Sequence, residues 1–407
     1  MLIFALVKSN RMDDIKAKSD LKIARVPVEF KRYLHDDILQ SRSRLISVAG
    51  ARGTGKTTLL LQLGKEKKIE NVLYVALDDL FFTHQNLYET AATFNNHGGR
   101  FLLLDEVHKY PGWSRELKLI YDDFPDLNVV FTSSSILDIQ KGESDLSRRA
   151  LRMQLPELSF REYLQFYEGI TLPVLSLDDI LQKHTEIVAE LAKNFKPLKY
   201  LQAYMQTGNY PYYEGNREEY YQKLLNTINL IMDIDIQSIE SLDYQHIAKM
   251  KKLLYIIASH VPFTPNISKL SEKIGLARNS LVLSLQMMEK AELIHTLTLQ
   301  GRSVSTLSKP DKIWLHNTNL YHAISGNRPE AGSLRETFML QHLTVGHEVQ
   351  LPLKGDFLVR NHYTLEVGGK SKTRAQISEI PHSYVIKDGI ESGAWNTVPM
   401  WLFGLLY

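Results

Sequence analysis

The chain has 407 residues, of which 44% are hydrophobic and 23% are charged. This composition is ordinary for globular proteins, and the length favours two or three domains. The formal net charge is only +2, so bulk electrostatics do not require a nucleic-acid partner. The chain has no cysteine, which excludes disulfides, thiolate zinc sites and a cysteine nucleophile and suits a reducing compartment.

The first segment, residues 1–7, is apolar but too short for the hydrophobic region of a signal peptide with proper flanks. No stretch approaches the roughly 20 consecutive apolar residues of a membrane span. We therefore expect a soluble, cytoplasmic protein without a membrane partner.

The most informative motif lies in residues 50–58, Gly-Ala-Arg-Gly-Thr-Gly-Lys-Thr-Thr, which fit the phosphate-loop pattern G-x-x-x-x-G-K-[ST]. A short apolar run at residues 45–49 precedes the motif, and a helical segment ended by glycine follows it at residues 57–64. The glycines allow successive backbone N–H groups to face one anion, and the start of the helix adds a positive field. The motif and its context predict a site for the phosphates of a nucleoside triphosphate.

Specific roles follow for two residues of this loop. Lys56 would reach the β- and γ-phosphates, and the Thr57 hydroxyl would bind Mg²⁺. The predicted nucleotide-binding residues are Gly50, Arg52, Gly53, Thr54, Gly55, Lys56, Thr57 and Thr58.

Further apolar runs, at residues 72–77, 101–104 and 128–131, alternate with helical segments such as residues 113–121. Unbroken apolar strands separated by helices predict a parallel sheet covered on both faces. Each run ends in polar residues. In such sheets ligands bind beyond the carboxyl ends of the strands, so these residues are expected to share one site.

Residues 101–106 then fit a Walker B strand. Asp105 is the predicted second Mg²⁺ residue, and Glu106 would orient or deprotonate the attacking water. Ser133 would hydrogen-bond the γ-phosphate or the water, although a serine-rich turn explains it almost as well. Arg149, next to Arg148, would stabilise charge in the transition state; the alternative is an ordinary surface arginine.

The second half of the chain begins with a helical stretch at residues 177–235, which predicts a lid over the nucleotide.

Three helices and two strands follow, at residues 253–260, 267–275, 277–291, 293–299 and 312–315. This order is that of a winged helix. It would place Arg278, Asn279 and Ser280 at the start of a recognition helix in a DNA major groove. That helix has few cations, however, and phosphate neutralisation dominates DNA affinity, so a protein-docking or oligomerisation role is favoured over DNA binding.

Several of these segments together carry a family resemblance. They are residues 50–57, 104–109, 111–113, 132–135, 146–150, 158–163, 200–211 and 401–407. The chain resembles the prokaryotic AAA+-type ATPases that carry an uncharacterised C-terminal domain. The resemblance implies ATP binding at a P-loop, a winged helix and a nuclease-like C-terminal fold, and it gives Lys56, Thr57, Asp105 and Glu106 the ATP and Mg²⁺ roles described above. It also implies that the polar residue after the sensor strand is Thr132 or Ser133. It does not imply a settled biological role.

Near the C-terminus, residues 355–359 and 363–367 read as a hairpin that carries Asp356 and Glu366. These two resemble the acidic pair of the PD-(D/E)xK nuclease fold, whose chemistry needs two carboxylates for Mg²⁺ and a nearby lysine. The lysine should stand two residues after Glu366, where the chain has Gly368; Lys370 is out of phase on a strand of period two. We therefore expect a nuclease-like fold without cleavage, which serves as a binding or assembly platform.

The predicted fold class is α/β. The predicted domains are a P-loop NTPase core with a parallel sheet at 1–165, a helical lid at 166–245, a winged helix at 246–318 and a small α/β nuclease-like domain at 319–407. The predicted function is an ATP-driven molecular switch that uses Mg²⁺. The alternatives are a DNA-binding regulator with structural nucleotide and an ATP-dependent nuclease. A protein partner or a homo-oligomer, with Arg148 or Arg149 acting on a neighbouring subunit, stays open.

Overall fold

The computed structural model describes residues 2–134, 146–191, 195–237, 242–301, 309–325 and 329–407, with side chains omitted for residues 2–11 and 134. The chain divides into two compact units, Met1–Pro156 and Glu157–Tyr407. Across the described ranges, no helix combines the length and the apolar composition needed to cross a membrane.

The first unit is built on a five-stranded sheet in the order β2-β3-β4-β1-β5, and every pairing in it is parallel. Its strands are β1 (Leu45–Gly50), β2 (Val72–Ala76), β3 (Phe101–Asp105), β4 (Asn128–Ser134) and β5 (Leu151–Gln154). The predicted parallel sheet is therefore confirmed. The fourth strand is longer than predicted and includes Thr132 and Ser133.

Helices cover both faces of this sheet. They are α1 (Leu2–Arg25), α2 (Leu34–Gln40), α3 (Lys56–Lys65), α4 (Leu87–Asn96) and α5 (Trp113–Asp123). Within β3, Leu102 and Leu104 join one hydrophobic cluster while Leu103, between them, joins the other. Burial on both faces explains why the strands read as continuous apolar runs.

The long helix α1 was not predicted from the sequence. Its residues Ile15 and Ile23 are buried in different clusters of the first unit. The sequence signal was weak because charged side chains interrupt the apolar positions along most of its length.

The second unit begins with a helical region. Its helices are α6 (Phe160–Glu168), α7 (Leu177–Leu191), α8 (Pro197–Thr207) and α9 (Arg217–Leu230), and a π-helical turn follows at Ile231–Ile236. Next come α10 (Tyr244–Ala258), α11 (Ile267–Ile274) and α12 (Arg278–Lys290), and then the antiparallel strands β6 (Ile294–Leu297) and β7 (Lys312–Leu315). This is the predicted order of three helices and a hairpin, but the first of the three begins nine residues earlier than the predicted start at residue 253.

The chain ends in a second five-stranded sheet, in the order β12-β11-β10-β9-β8. Its strands are β8 (Val349–Gln350), β9 (Phe357–Val359), β10 (Tyr363–Gly368), β11 (Ser383–Lys387) and β12 (Thr397–Pro399), and helices α13 (Thr318–Ser325) and α14 (Ala331–Leu343) precede them. The antiparallel β9–β10 hairpin agrees with the prediction.

The boundary between the units lies nine residues before the predicted core end at residue 165. Helix α6 belongs to the second unit because its start is tied to the C-terminus of the chain. The Ser159 hydroxyl donates to the Tyr407 backbone oxygen at 2.7 Å. Gly404 packs on Phe160 so closely that a Cβ on the glycine would lie 2.4 Å from the Phe160 Cβ. These contacts join residues far apart in sequence, which local patterns do not predict.

Candidate nucleotide-binding site

The phosphate loop leaves the carboxyl end of β1 and enters α3 through two glycines in left-handed conformations. Gly53 has φ 84° and Gly55 has φ 95°, values that side chains rarely tolerate. The buried Thr54 hydroxyl donates to the Ala51 carbonyl at 3.0 Å and fixes the turn. The motif therefore forms the strand–loop–helix arrangement that its sequence predicts.

Lys56 lies folded over this loop. Its ammonium donates to the Gly50 carbonyl at 2.7 Å and to the Ala51 carbonyl at 2.8 Å, and the residue is buried. A buried ammonium needs such partners because its desolvation is costly. The charge is thus held at the loop, where a phosphate oxygen would be a stronger, charge-assisted acceptor than either carbonyl.

Asp105 ends β3 and is the centre of a hydrogen-bond cluster. Its Oδ2 accepts from the Thr57 hydroxyl at 2.7 Å and from the Tyr74 hydroxyl at 2.9 Å. Its Oδ1 accepts from the Thr132 hydroxyl at 2.5 Å. The structure therefore brings Thr57 and Asp105, the two residues predicted to bind Mg²⁺, into direct contact. Burial and the Asp105 carboxylate raise the pKa of Tyr74, which keeps it a neutral donor.

Glu106 follows in a left-handed backbone conformation, with φ 53°. Its N–H donates to the Thr132 hydroxyl oxygen at 3.0 Å, and its Oε2 lies 3.2 Å from His108 Nε2. Burial raises the pKa of Glu106, while the nearby charge of Lys56 opposes that shift. A carboxylate with a raised pKa beside a phosphate loop is suited to general-base work.

Sequence analysis did not predict one residue of this cluster, Tyr74, and did not decide between Thr132 and Ser133 for another. Tyr74 lies in the middle of β2, where an aromatic residue reads only as core, and nothing in the sequence marked it. Thr132 was one of two candidates, and the structure shows that it, not Ser133, contacts Asp105. Ser133 is buried in β4 opposite Ala49, and strand alternation points its side chain to the other face.

The other two predicted side chains of the loop region, Arg52 and Thr58, lie near the surface. Thr58 is exposed in the first turn of α3, and Arg52 is half-buried in the loop. Arg52 is close enough for its charge to lower the pKa of Glu106.

Arg149 is not brought to this cluster. Its guanidinium makes a bidentate ion pair with Asp122, with both N–O distances at 2.9 Å. Asp122 lies in the last turn of α5, just before β4, and Arg149 lies just before β5, whose Leu151 pairs with Ile46 near the start of β1. Both therefore lie at the amino edge of the sheet, roughly 15 Å of strand from the phosphate loop. Action of Arg149 on the nucleotide of its own chain is not supported, and action on a neighbouring subunit stays a prediction.

The second unit contains a separate cluster of ionisable side chains. Glu366 on β10 is almost fully buried and forms an ion pair with the Lys372 ammonium. Asp356 lies one step beyond the Phe357–Leu365 pair, and its Oδ2 accepts from the Val367 N–H at 2.7 Å.

Glu336 on α14 faces the same cluster. Burial, together with the charge of Asp356, raises the pKa of Glu336 to about 7. The Trp314 indole N–H donates to its Oε2 at 3.1 Å. In the described part of the chain, no group of three or more His, Asp or Glu side chains is arranged to hold a metal ion.

Comparison with protein families supports the fold described for the first unit. Residues 42–164 match the family model described as an AAA domain. This segment is therefore similar to AAA domains, and its parallel sheet with the phosphate loop after β1 is the fold of a P-loop NTPase.

Over most of its length the chain is similar to the uncharacterized protein MJ1637 of Methanocaldococcus jannaschii. The two are 26% identical over an aligned length of 402 residues. The match covers 89% of this chain and 85% of that protein. Among solved structures, the Orc1 protein of Aeropyrum pernix in complex with DNA is 12% identical with a TM-score of 0.30, covering 77% of this chain and 92% of that one. AMPPCP-bound DnaA of Aquifex aeolicus is 15% identical with a TM-score of 0.26, covering 63% of this chain and 86% of that one. Structural similarities of this size carry no functional argument.

Proposed function

We propose that this protein is an ATP-binding and ATP-hydrolysing molecular switch whose nucleotide state controls the second unit. One observation carries the proposal. Lys56 is held at the phosphate loop, while Thr57 contacts Asp105 and Glu106 stands next in the chain. This is the set of groups that phosphoryl transfer to water requires.

Each group has a defined task. Lys56 exchanges its two carbonyl acceptors for phosphate oxygens. Thr57 and Asp105 fit Mg²⁺ because a hydroxyl and a carboxylate oxygen, already 2.7 Å apart, are the hard ligands this ion prefers. When bound, Mg²⁺ supplies positive charge that neutralises the phosphates. Glu106 accepts a proton from, or orients, the attacking water.

The experiment is a calorimetric titration with ATP and Mg²⁺ of the full chain and of Lys56→Ala. The variant should lose affinity by about tenfold or more, because a hydrogen bond to a charged group contributes about 1.5–3 kcal/mol and 1.4 kcal/mol is tenfold. Lys67→Ala is the matched control, since Lys67 lies over the Phe101 ring at the amino edge of the same sheet. If the unaltered protein gives no binding heat, the proposal is refuted.

We propose further that the three helices and hairpin formed by α10–α12 and β6–β7 act as a winged helix that contacts a macromolecular partner. Arg278 and Asn279 are exposed at the start of α12, as a recognition helix would require. A DNA-binding regulator with structural nucleotide is the alternative. The ATPase rate with and without duplex DNA distinguishes them, because that alternative expects DNA binding with negligible turnover.

One observation favours a second candidate function, metal-dependent cleavage of a phosphodiester. The sequence argued against cleavage because Gly368 stands where a lysine was expected. In the structure the Lys372 side chain crosses that position: a Cβ on Gly368 would lie 2.6 Å from the Lys372 Cβ and Cγ. Gly368 thus leaves room for the side chain of Lys372, which lies four residues after the glycine and reaches Glu366.

The charge arrangement supports the same candidate. Like charges placed opposite each other on neighbouring strands destabilise a hairpin, and a cation offsets that cost for Asp356 and Glu366. Lys372 is that cation here, because its ammonium forms an ion pair with Glu366. Asp356 and Glu366 would hold a divalent ion once Lys372 turns toward a phosphate.

A nicking assay on supercoiled DNA with Mg²⁺ or Mn²⁺ tests this candidate. Nicking should occur with the unaltered chain and be lost in Asp356→Ala and Lys372→Ala, while Lys370→Ala, which removes a neighbouring lysine, should retain it. If the unaltered chain does not nick, cleavage is rejected and the domain is a binding or assembly platform, as the sequence led us to expect.

A further inference from the structure

The last residues of the first unit lie against the phosphate loop. Beyond β5, the Leu155 N–H donates to the Ala49 carbonyl at 2.8 Å. A Cβ on Gly50 would lie only 2.3 Å from the Leu155 carbonyl oxygen. Gly50 therefore does two things: it opens the phosphate loop, and it permits the segment leading out of the unit to pass in contact with the loop backbone.

A buried arginine also connects the phosphate loop to the last residue of the first unit. Arg32, between α1 and α2, is only 5% exposed. Its Nη1 donates to the Thr54 carbonyl in the phosphate loop, and its Nη2 donates to the Pro156 carbonyl at 2.7 Å. The guanidinium is rigid and permanently charged, so it fixes the spacing between the loop and the last residue of the unit.

The segment that carries Arg32 is itself anchored to the helix after the loop. The buried Gln62 side chain on α3 donates to the Pro27 and Phe30 carbonyls, each at 2.8 Å. Helix α3 and the phosphate loop are therefore both hydrogen-bonded to the segment that carries Arg32.

The next residue in the chain is anchored within the second unit. Glu157 is fully buried, and its Oε1 accepts from His316 Nδ1 at 2.8 Å and from Asn317 Nδ2 at 2.7 Å. Pro156 and Glu157 are thus neighbours in sequence, yet each is held by buried polar groups of its own unit.

We propose that Arg32 is a positioning residue that transmits nucleotide occupancy from the phosphate loop to the junction at Pro156 and Glu157. The inference rests on the proposed ATP-binding function. Lys56 donates to the carbonyls of Gly50 and Ala51, so its transfer to phosphate removes two hydrogen bonds from the backbone that touches Leu155. Arg32 carries the resulting change of the loop to Pro156, whose next neighbour in the chain, Glu157, belongs to the second unit.

The test is hydrogen exchange measured by mass spectrometry on the full chain, with and without ATP and Mg²⁺, over peptides that contain residues 154–158. In the unaltered protein the nucleotide should change exchange in this segment by about tenfold, which corresponds to the loss or gain of one such hydrogen bond. Arg32→Gln should bind ATP within about threefold of the unaltered affinity, since it leaves Lys56 and the backbone N–H groups of the loop in place, but should lose that change.

Tyr33→Phe is the matched control. The Tyr33 hydroxyl donates to the Gln154 carbonyl at 2.8 Å, so the variant removes a contact to the same exit segment while the Arg32 hydrogen bonds stay in place, and it should keep the nucleotide response. If Arg32→Gln does not fold, Arg32→Lys, which keeps the charge but not the fork, takes its place and should reduce the response.

The outcomes separate the two claims. Calorimetric ATP binding without any exchange response in the unaltered protein overturns the coupling and leaves the ATPase proposal standing. Equal loss of response in Tyr33→Phe and Arg32→Gln also overturns it, because the effect would then be general loosening of the segment. Absence of ATP binding refutes the proposed function itself.

Discussion

Thr132→Val is the sharpest test of how the site is organised. The side chain is fully buried, and its hydroxyl both donates to Asp105 Oδ1 and accepts from the Glu106 N–H. Valine has nearly the same shape, so the substitution removes these two hydrogen bonds with little change in packing. The prediction therefore isolates the hydroxyl.

The magnitude follows from the two partners. Loss of a donor to a charged carboxylate costs about 1.5–3 kcal/mol, and loss of the acceptor for the Glu106 N–H costs about 1 kcal/mol more. The sum, about 2.5–4 kcal/mol, should lower the Tm of the first unit by roughly 5–15 °C, at about 2–4 °C per kcal/mol for a domain of this size.

The catalytic effect should be separate from binding. Without Thr132 the backbone of Glu106 is no longer held in its left-handed conformation, so kcat for ATP hydrolysis should fall by ~10–100-fold. The Kd for ATP should stay within a few-fold, because the Lys56 ammonium is held at the loop by the Gly50 and Ala51 carbonyls, which the substitution leaves in place. Stopped-flow phosphate release and calorimetry measure the two quantities.

Ser133→Ala is the matched control, one residue along the same strand with its side chain on the other face. It should leave kcat close to that of the unaltered protein. If Ser133→Ala causes the larger loss, or if Thr132→Val hydrolyses ATP normally, the assignment of Thr132 is refuted and Ser133 is restored as the functional residue.

Three further predictions use other parts of the chain. Glu106→Gln should bind ATP normally but hydrolyse it about 10²–10⁴-fold more slowly in single-turnover assays; unchanged turnover would show that another group activates the water. Burial lowers the pKa of His316, but the Glu157 carboxylate outweighs burial and raises it above 6.5. The stability contributed by His316 is therefore fully present below pH 6.5 and is lost as pH rises through the raised pKa; a Tm series from pH 5.5 to about 9 should show this decline, and His316→Gln should abolish it. Gly208→Ala should lower the Tm of the second unit by an amount that reflects about 1–3 kcal/mol of overpacking, because its Cβ would lie 2.5 Å from the Tyr204 ring; an unchanged Tm would contradict this close contact between Gly208 and Tyr204.

The sequence alone determined the parts of the site that are contiguous along the chain. The phosphate loop is one unbroken segment, and the conformation of its glycines and the position of its lysine depend on residues that are adjacent in sequence. The contact between Thr57 and Asp105 also followed from sequence, because the carboxyl ends of parallel strands meet at one edge.

Tertiary structure decided every feature that depends on which residues meet across the fold. The register of β4 selected Thr132 over Ser133, because adjacent residues on a strand face opposite sides. The direction of β5 placed Arg149 at the far edge of the sheet. Lys372 reaches Glu366 only because the chain turns back over Gly368, and Arg32 meets Thr54 and Pro156 across long separations in sequence. Periodicity and motif spacing describe local conformation, whereas such contacts are set by packing between distant segments, which no local pattern encodes.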